Sequence, residues 1–214
     1  MPTLSEDESA TLVARYGVPV VERRRAGTAD EAVAAAAALG MPVVVKLHGD
    51  AIAHKTERGL VRIGLRDPGA VRAAADELLA CARPEDGAVD LLVARMAGGS
   101  RELVAGVHDD PQFGRCVMVG VGGVLTEVLA DVTFRLAPIT RVDAEEMLDD
   151  LVHAELLGPV RGEPAVDRGA LTHLLLALSD LATSERDLVA VDVNPIVIEQ
   201  GRPVAVDALV EVAG

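Results

Sequence analysis

The chain has 214 residues, half of them hydrophobic, and its 34 acidic against 20 basic side chains leave a formal charge of −14. That length allows one compact domain or two intimate lobes around a sizeable core, and so apolar a composition excludes disorder. The negative charge speaks against nucleic acids and anionic membranes, which need clustered cations, and three aromatics (Tyr16, Phe113, Phe134) are too few for a base-stacking platform.

The N-terminus carries neither the basic start nor the apolar core of a secretion signal. Residues 4–16 have helical spacing closed by Gly17, and Val18 to Val21 read as a short strand. Thr28 with Glu31 forms a capping box for an Ala-rich helix that Gly40 ends. Residues 42–47 are a β-branched strand with Lys46 at its end, 48–59 are polar and loop-like, and 60–65 are a strand with Val61, Ile63 and Leu65 on one face. Asp67 and Pro68 open a helix running to about Arg83. The break at Arg83 to Gly87 separates an N-terminal lobe, 1–86, from a C-terminal lobe, 87–214.

Strands follow at 89–96 and 102–108 around a Gly98-Gly99 turn, then a strand at 116–119, the loop Gly120 to Gly123, and β-rich stretches at 124–129 and 132–136. Thr140, boxed with Asp143, caps a helix to about Val152, and Asp167 starts another with Leu171, Leu174, Leu175, Leu178 and Leu181 on one face. Two strands, 188–198 and 203–206, end the chain around a turn at 199–202. Helices and strands interleave, so the class is α+β. The longest apolar run, 32–45, is broken by Gly40 and Pro42, short of the roughly 20 residues a membrane-spanning helix needs. Cys81 and Cys116 show no metal-ligand spacing, which predicts reduced thiols in a cytoplasmic protein.

Of the 20 cations only two are Lys, and both, Lys46 and Lys55, lie in one segment. Either an otherwise Arg-rich chain has kept Lys where a flexible point charge is required, or the two cluster by chance. With His54, Arg58 and Arg62 nearby, that segment could bind a polyphosphate, although a lysine at a strand end can equally snorkel from the surface. His54 could accept a phosphoryl group, or be an exposed loop histidine. If Ile198 and Pro203 flank the last turn, Asn194 lies opposite Asp207, and Asp192 shares their face. Two carboxylates and an amide suit Mg²⁺; the alternative is a solvated strand face. Gly120 to Gly123 could approach an anion or simply make a tight turn. Glu127, Asp131 and Arg135 recur at four-residue steps and, if helical, would form a salt-bridged face.

Val43 to Lys46 with His54 to Gly59, Gly98 to Val107 with Asp110 to Gly114, Gly120 to Pro138, and Asp192 to Pro195 occur in order over nearly the whole chain. As a set they resemble the ATP-grasp domain of the NDP-forming acyl-CoA synthetases: the β subunit of ADP-forming acetate–CoA ligase, related to that of succinyl-CoA synthetase. The resemblance implies an ATP-grasp fold of two α+β lobes with ATP or ADP held between them. It implies that Lys46, also a catalytic residue, and Lys55 contact the phosphates, with Glu102 and Arg135 at the nucleotide. Asn194 and Asp207, with Asp192 beside them, would hold Mg²⁺, and His54 would relay the phosphoryl group. At 214 residues no CoA-binding or phosphohistidine domain is expected, so a separate α-type subunit would supply both and bring the small carboxylic acid and CoA. Arg95 stands where many relatives carry Glu. A different class remains open, a nucleotide-binding regulatory module controlling a partner such as a lysine acetyltransferase without turnover, as does a plain scaffold subunit.

Overall fold

The computed structural model describes residues 2–49, 52, 58–123, 130–160 and 162–213. It divides into two compact units, one from Val21 to Met96, the other from Met1–Val20 joined to Ala97–Gly214.

The first unit is a four-stranded antiparallel sheet in the order β1-β4-β2-β3, with β1 at Arg23–Ala26, β2 at Val43–His48, β3 at Val61–Leu65 and β4 at Asp90–Arg95. Helices α1 (Glu6–Arg15), α2 (Ala29–Leu39) and α3 (Pro68–Ala80) come before β4 in the chain, and α2 and α3 pack on this sheet. Alanines of α2 (Ala32, Ala35, Ala36) lie against Val43, Val45 and Leu47 of β2 and against Val71, Ala75 and Leu78 of α3. Small side chains let that two-turn face approach a β-branched strand closely. Asp67 caps α3 as expected, its side chain accepting from the Ala70 amide. Thr28 caps α2, but Glu31 reaches back to the Gly27 amide rather than closing a reciprocal box.

In the second unit the order is β10-β8-β5-β6-β7, with β9 also on β8: β5 is Glu102–Asp110, β6 Gly114–Val121, β7 Val132–Leu136, β8 Leu188–Glu199, β9 Arg202–Ala205 and β10 Ala208–Val212. One face is covered by α1, α4 (Arg141–Asp149) and α5 (Arg168–Ser184), the last through the leucines its spacing predicted. Thr140 and Asp143 form the full capping box on α4. Arg115 holds the C-terminal end of α5, donating to the carbonyls of Ala182, Glu185, Arg186 and Leu188.

Three expectations change. Val18 to Val21 is not a strand beyond an isolated bridge from Val20 to Ala205; the strand lies further on, at the charged residues Arg23 to Ala26. An edge strand of this kind carries no apolar signature. The division falls at Met96/Ala97 and not at 86/87, because β4 is an interior strand hydrogen-bonded to both β1 and β2. The leading helix belongs to the second unit, where it packs on β10. Residues 124–129 lie outside the described residues. Among those described, no helix is long and apolar enough to cross a membrane.

Candidate nucleotide and metal site

The C-terminal hairpin has the expected register. Ile198 pairs with Pro203, and Glu199 with Arg202, around a two-residue turn in which Gln200 and Gly201 both take positive φ, 50° and 85°. The same register continues into β10, with Val193 opposite Ala208 and Asp192 opposite Leu209. At the junction the Asn194 amide donates to the Asp207 carbonyl at 3.3 Å. Val191 and Val193 are buried under the helices, so strand alternation turns Asp192 and Asn194 to the other face. Gly106 of β5 lies beside Asp192 on that face.

The electrostatics of this face suit a cation. Asp192 is exposed at the surface, but partial desolvation of its carboxyl by neighbouring protein raises it above the usual carboxylate range; the negative charge of Asp207 raises it further, and a hydrogen bond from Asn194 works in the opposite direction. Asp207 Oδ1 also accepts from the Ala208 amide at 2.8 Å, which orients it. Two mutually repelling carboxylates beside an amide oxygen form a hard-oxygen donor set whose strain a dication relieves. Among the described residues no group of three His, Cys, Asp or Glu side chains gathers anywhere, so this mixed set is the metal candidate.

Lys46 is not at the strand end. It is the fourth residue of a six-residue strand, between Leu92 of β4 and Val61 of β3, and only 7% exposed. Burial removes the snorkelling alternative, and lysines are rarely buried without a task. Two of the cations expected to join it do not. Arg58 is bidentate on Asp86 (2.6 and 2.9 Å), holding that carboxyl down at about 2, and Arg62 is turned to Glu77 and the Gly59 carbonyl. His54 and Lys55 lie outside the described residues.

Glu102 begins β5 at the rim of a cavity of about 140 Å³ lined also by Ser100, Val121, Gly122, Leu157 and Ile198. The glycine loop explains its position. The Gly122 amide donates to the Glu102 carbonyl at 2.8 Å, and a Cβ on Gly122 would come within 2.9 Å of Glu102 backbone. The close approach is therefore to the neighbouring strand. Next to it Arg101, nearly buried, donates to the carbonyls of Leu156, Gly158 and Pro164.

Arg135, expected at the nucleotide, does not share the sheet face of Asp192 and Asn194. It stands opposite Val117, a core residue, so it points to the helical side, where it pairs with Asp150 at 2.6 Å and Glu146 at 3.8 Å. It sits on a strand, so the helical-face alternative for Asp131 and Arg135 falls too. Asp131 is buried and accepts from the amides of Val152 and His153 and from the His153 ring. Glu127 lies outside the described residues.

Sequence reasoning missed one group. His48, assigned to the loop, is the last residue of β2 and 1% exposed. Its Nδ1 lies 2.9 Å from Asp90 Oδ1, and Asp90 Oδ2 accepts from Arg25 Nε at 2.6 Å. Strand alternation after Lys46 was the available signal.

The sequence profile of the ATP-grasp domain matches residues 2–212. The chain belongs to the ATP-grasp family. It is 36% identical over 208 residues to the acetate–CoA ligase [ADP-forming] I subunit beta of Pyrococcus furiosus, covering 96% of this chain and 90% of that one. Its fold matches the dinucleotide forming acetyl-coenzyme A synthetase 1 of Ca. Korarchaeum cryptofilum in complex with coenzyme A and Ca-AMPCP, with a TM-score of 0.92 at 32% identity over 99% of this chain and 94% of that one. A second structure of that enzyme, holding coenzyme A and Mg-AMPPCP with its phosphohistidine segment pointing towards the nucleotide binding site, matches with a TM-score of 0.86 at 33% identity, covering 99% and 93%. The fold class is that of the ATP-grasp proteins, in two sheets.

Proposed function

We propose that this chain is the ATP-grasp β-type subunit of an ADP-forming acyl-CoA synthetase. With a separate α-type subunit that binds CoA and carries the phosphohistidine segment, it interconverts ATP, a small carboxylic acid and CoA with ADP, phosphate and acyl-CoA. The observation that carries the reading is the hairpin register, which sets Asn194 against Asp207 with Asp192 on the same face. Support comes also from near full-length relatives named as β subunits of ADP-forming acetate–CoA ligases.

Asn194 and Asp207, with Asp192, would hold Mg²⁺, which would neutralise charge on phosphate oxygens that an acidic protein otherwise repels. Lys46 does the same from a desolvated position, where its charge acts at lower dielectric than in water. Glu102 contacts the nucleotide at the rim of its cavity, and Lys55 the phosphates. His54 takes the phosphoryl group: an imidazole nitrogen forms the new N–P bond as the bond from phosphorus to the leaving oxygen breaks, and ADP departs with that electron pair. Arg135, already paired with Asp150, is left to the fold. No observation favours the regulatory module over the ligase subunit.

Reconstitution tests this reading. The chain mixed with an α-type CoA-binding subunit, ATP, Mg²⁺, acetate and CoA should form acyl-CoA and ADP together. ADP formation beyond one equivalent per complex without CoA and acid, or no turnover despite nucleotide binding, would overturn it.

A further inference from the structure

His48 sits two residues beyond Lys46 on β2, so both side chains leave the strand on the same face. The opposite face, Val43, Val45 and Leu47, is the one packed by α2 and α3. Asp90, when ionised, can only accept a hydrogen bond, so the ring nitrogen beside it, Nδ1, carries the hydrogen, and the neutral ring presents a lone pair at Nε2. Nε2 is buried and has no hydrogen-bond partner among the described residues. Buried polar atoms are rarely left so, and an imidazole oriented by a carboxylate with its far nitrogen open is arranged to meet something else.

We infer that His48 is a further nucleotide-contact residue, its Nε2 binding a phosphate oxygen of the nucleotide that Lys46 holds, with the ring taking up one proton as it does so. This rests on the reading of Lys46 as a phosphate contact. A phosphate oxygen offers lone pairs only, so Nε2 must acquire a hydrogen to bond it. The charged groups around the ring come from several elements. Asp90 on β4 is negative, Arg25 on β1 offsets it at 2.6 Å, and Lys46 on β2 adds a positive charge. Arg62 on β3 stands opposite Val45, facing away, and is turned to Glu77; Arg58 is held by Asp86. The carboxylates of α2 and α3 (Asp30, Glu31, Asp76, Glu77) belong to helices on the far side of β2. An arriving polyphosphate brings negative charge to the ring and so favours the imidazolium in the complex.

Calorimetric titration of the full chain with Mg-ADP, in two buffers of different ionisation enthalpy near neutral pH, reads both affinity and proton uptake. Wild type should take up a proton on binding. His48→Asn keeps a donor for Asp90 and leaves nothing at the Nε2 position, so uptake should vanish and affinity fall about tenfold or more. His48→Gln places an amide N–H near the Nε2 position, so affinity should stay within about threefold while uptake vanishes. If His48 serves only to hold Asp90, the order reverses, with Asn native-like and Gln impaired, and the inference is overturned. Equal affinity and proton uptake in wild type and both variants overturns it as well. Absence of binding by wild type strikes the nucleotide reading itself, a separable result. Should both variants lose their thermal transition, the ¹⁵N resonance of His48 Nε2 in wild type decides: a move to the protonated position on adding Mg-ADP supports the contact, and no move overturns it.

Discussion

Gly106→Ala is expected to damage stability and metal-dependent binding together. Gly106 pairs with Asp192, and a Cβ built on it would meet the Val191 carbonyl oxygen at 2.2 Å, more than an ångström inside ordinary contact. That atom is backbone of the central strand and cannot swing aside as a side chain would. Strands β5 and β8 must separate locally, straining the hydrogen bonds of the Gly106/Asp192 and Val107/Val191 pairs. Overpacking costs about 1–3 kcal/mol, and one or two weakened ladder bonds add about 0.5–1.5 kcal/mol each, so the loss is roughly 1.5–6 kcal/mol. For a chain of this size, at about 2–4 °C per kcal/mol, that lowers Tm by roughly 3–24 °C. Urea unfolding monitored by circular dichroism gives the first quantity, and calorimetry with Mg-ADP tests whether the displaced Asp192 weakens the metal face. A variant within about 0.5 kcal/mol of wild type, with unchanged affinity, would refute the reasoning.

Asn194→Ala and Asp207→Ala should weaken nucleotide binding in Mg²⁺ but not in EDTA, with melting temperature nearly unchanged; unfolding with affinity intact would make both residues structural. Lys46→Arg should lower nucleotide affinity about tenfold although charge is kept, because a broad planar fork does not fit the buried position of a slender ammonium; affinity within about twofold by calorimetry would mean the lysine is incidental. Asp86 is lowered from 3.8 to about 2 by Arg58, so it contributes stability above the unfolded value that is lost as pH falls through that window. Acid titration of the urea midpoint should show a slope there that Asp86→Asn reduces, and an unchanged slope would dissociate the ion pair from acid stability.

Local chemistry made parts of this fold legible from residues alone. A two-residue turn with Gly201 at positive φ determines which residues face each other along the last hairpin, so Asn194 and Asp207 could be matched before any long-range contact was known. The caps at Asp67, Thr140 and Asp167 depend on residues three apart and are read the same way. What stayed hidden depends on distant partners. Strand β4 follows a Pro84/Gly87 break and precedes a Gly98-Gly99 turn, and nothing local says that it pairs backward with β2. Arg135 lies on a strand whose covered face is set by helices α4 and α5, so its side could not be read from its own segment. The Asp90 partner of His48 is 42 positions away, which left the histidine looking like the first residue of a polar loop.

Phosphoryl transfer between chains is the central claim, and ATP labelled at its terminal phosphate tests it most directly. Incubated with Mg²⁺, this chain and an α-type CoA-binding subunit, the label should appear as acid-labile phosphohistidine on the partner. It should require both chains, be lost with His54→Ala while Mg-ADP affinity stays almost unchanged, and pass to inorganic phosphate when the acid and CoA are added. Tight Mg-ATP binding with no label on either chain would contradict the account and identify a nucleotide-binding regulator instead.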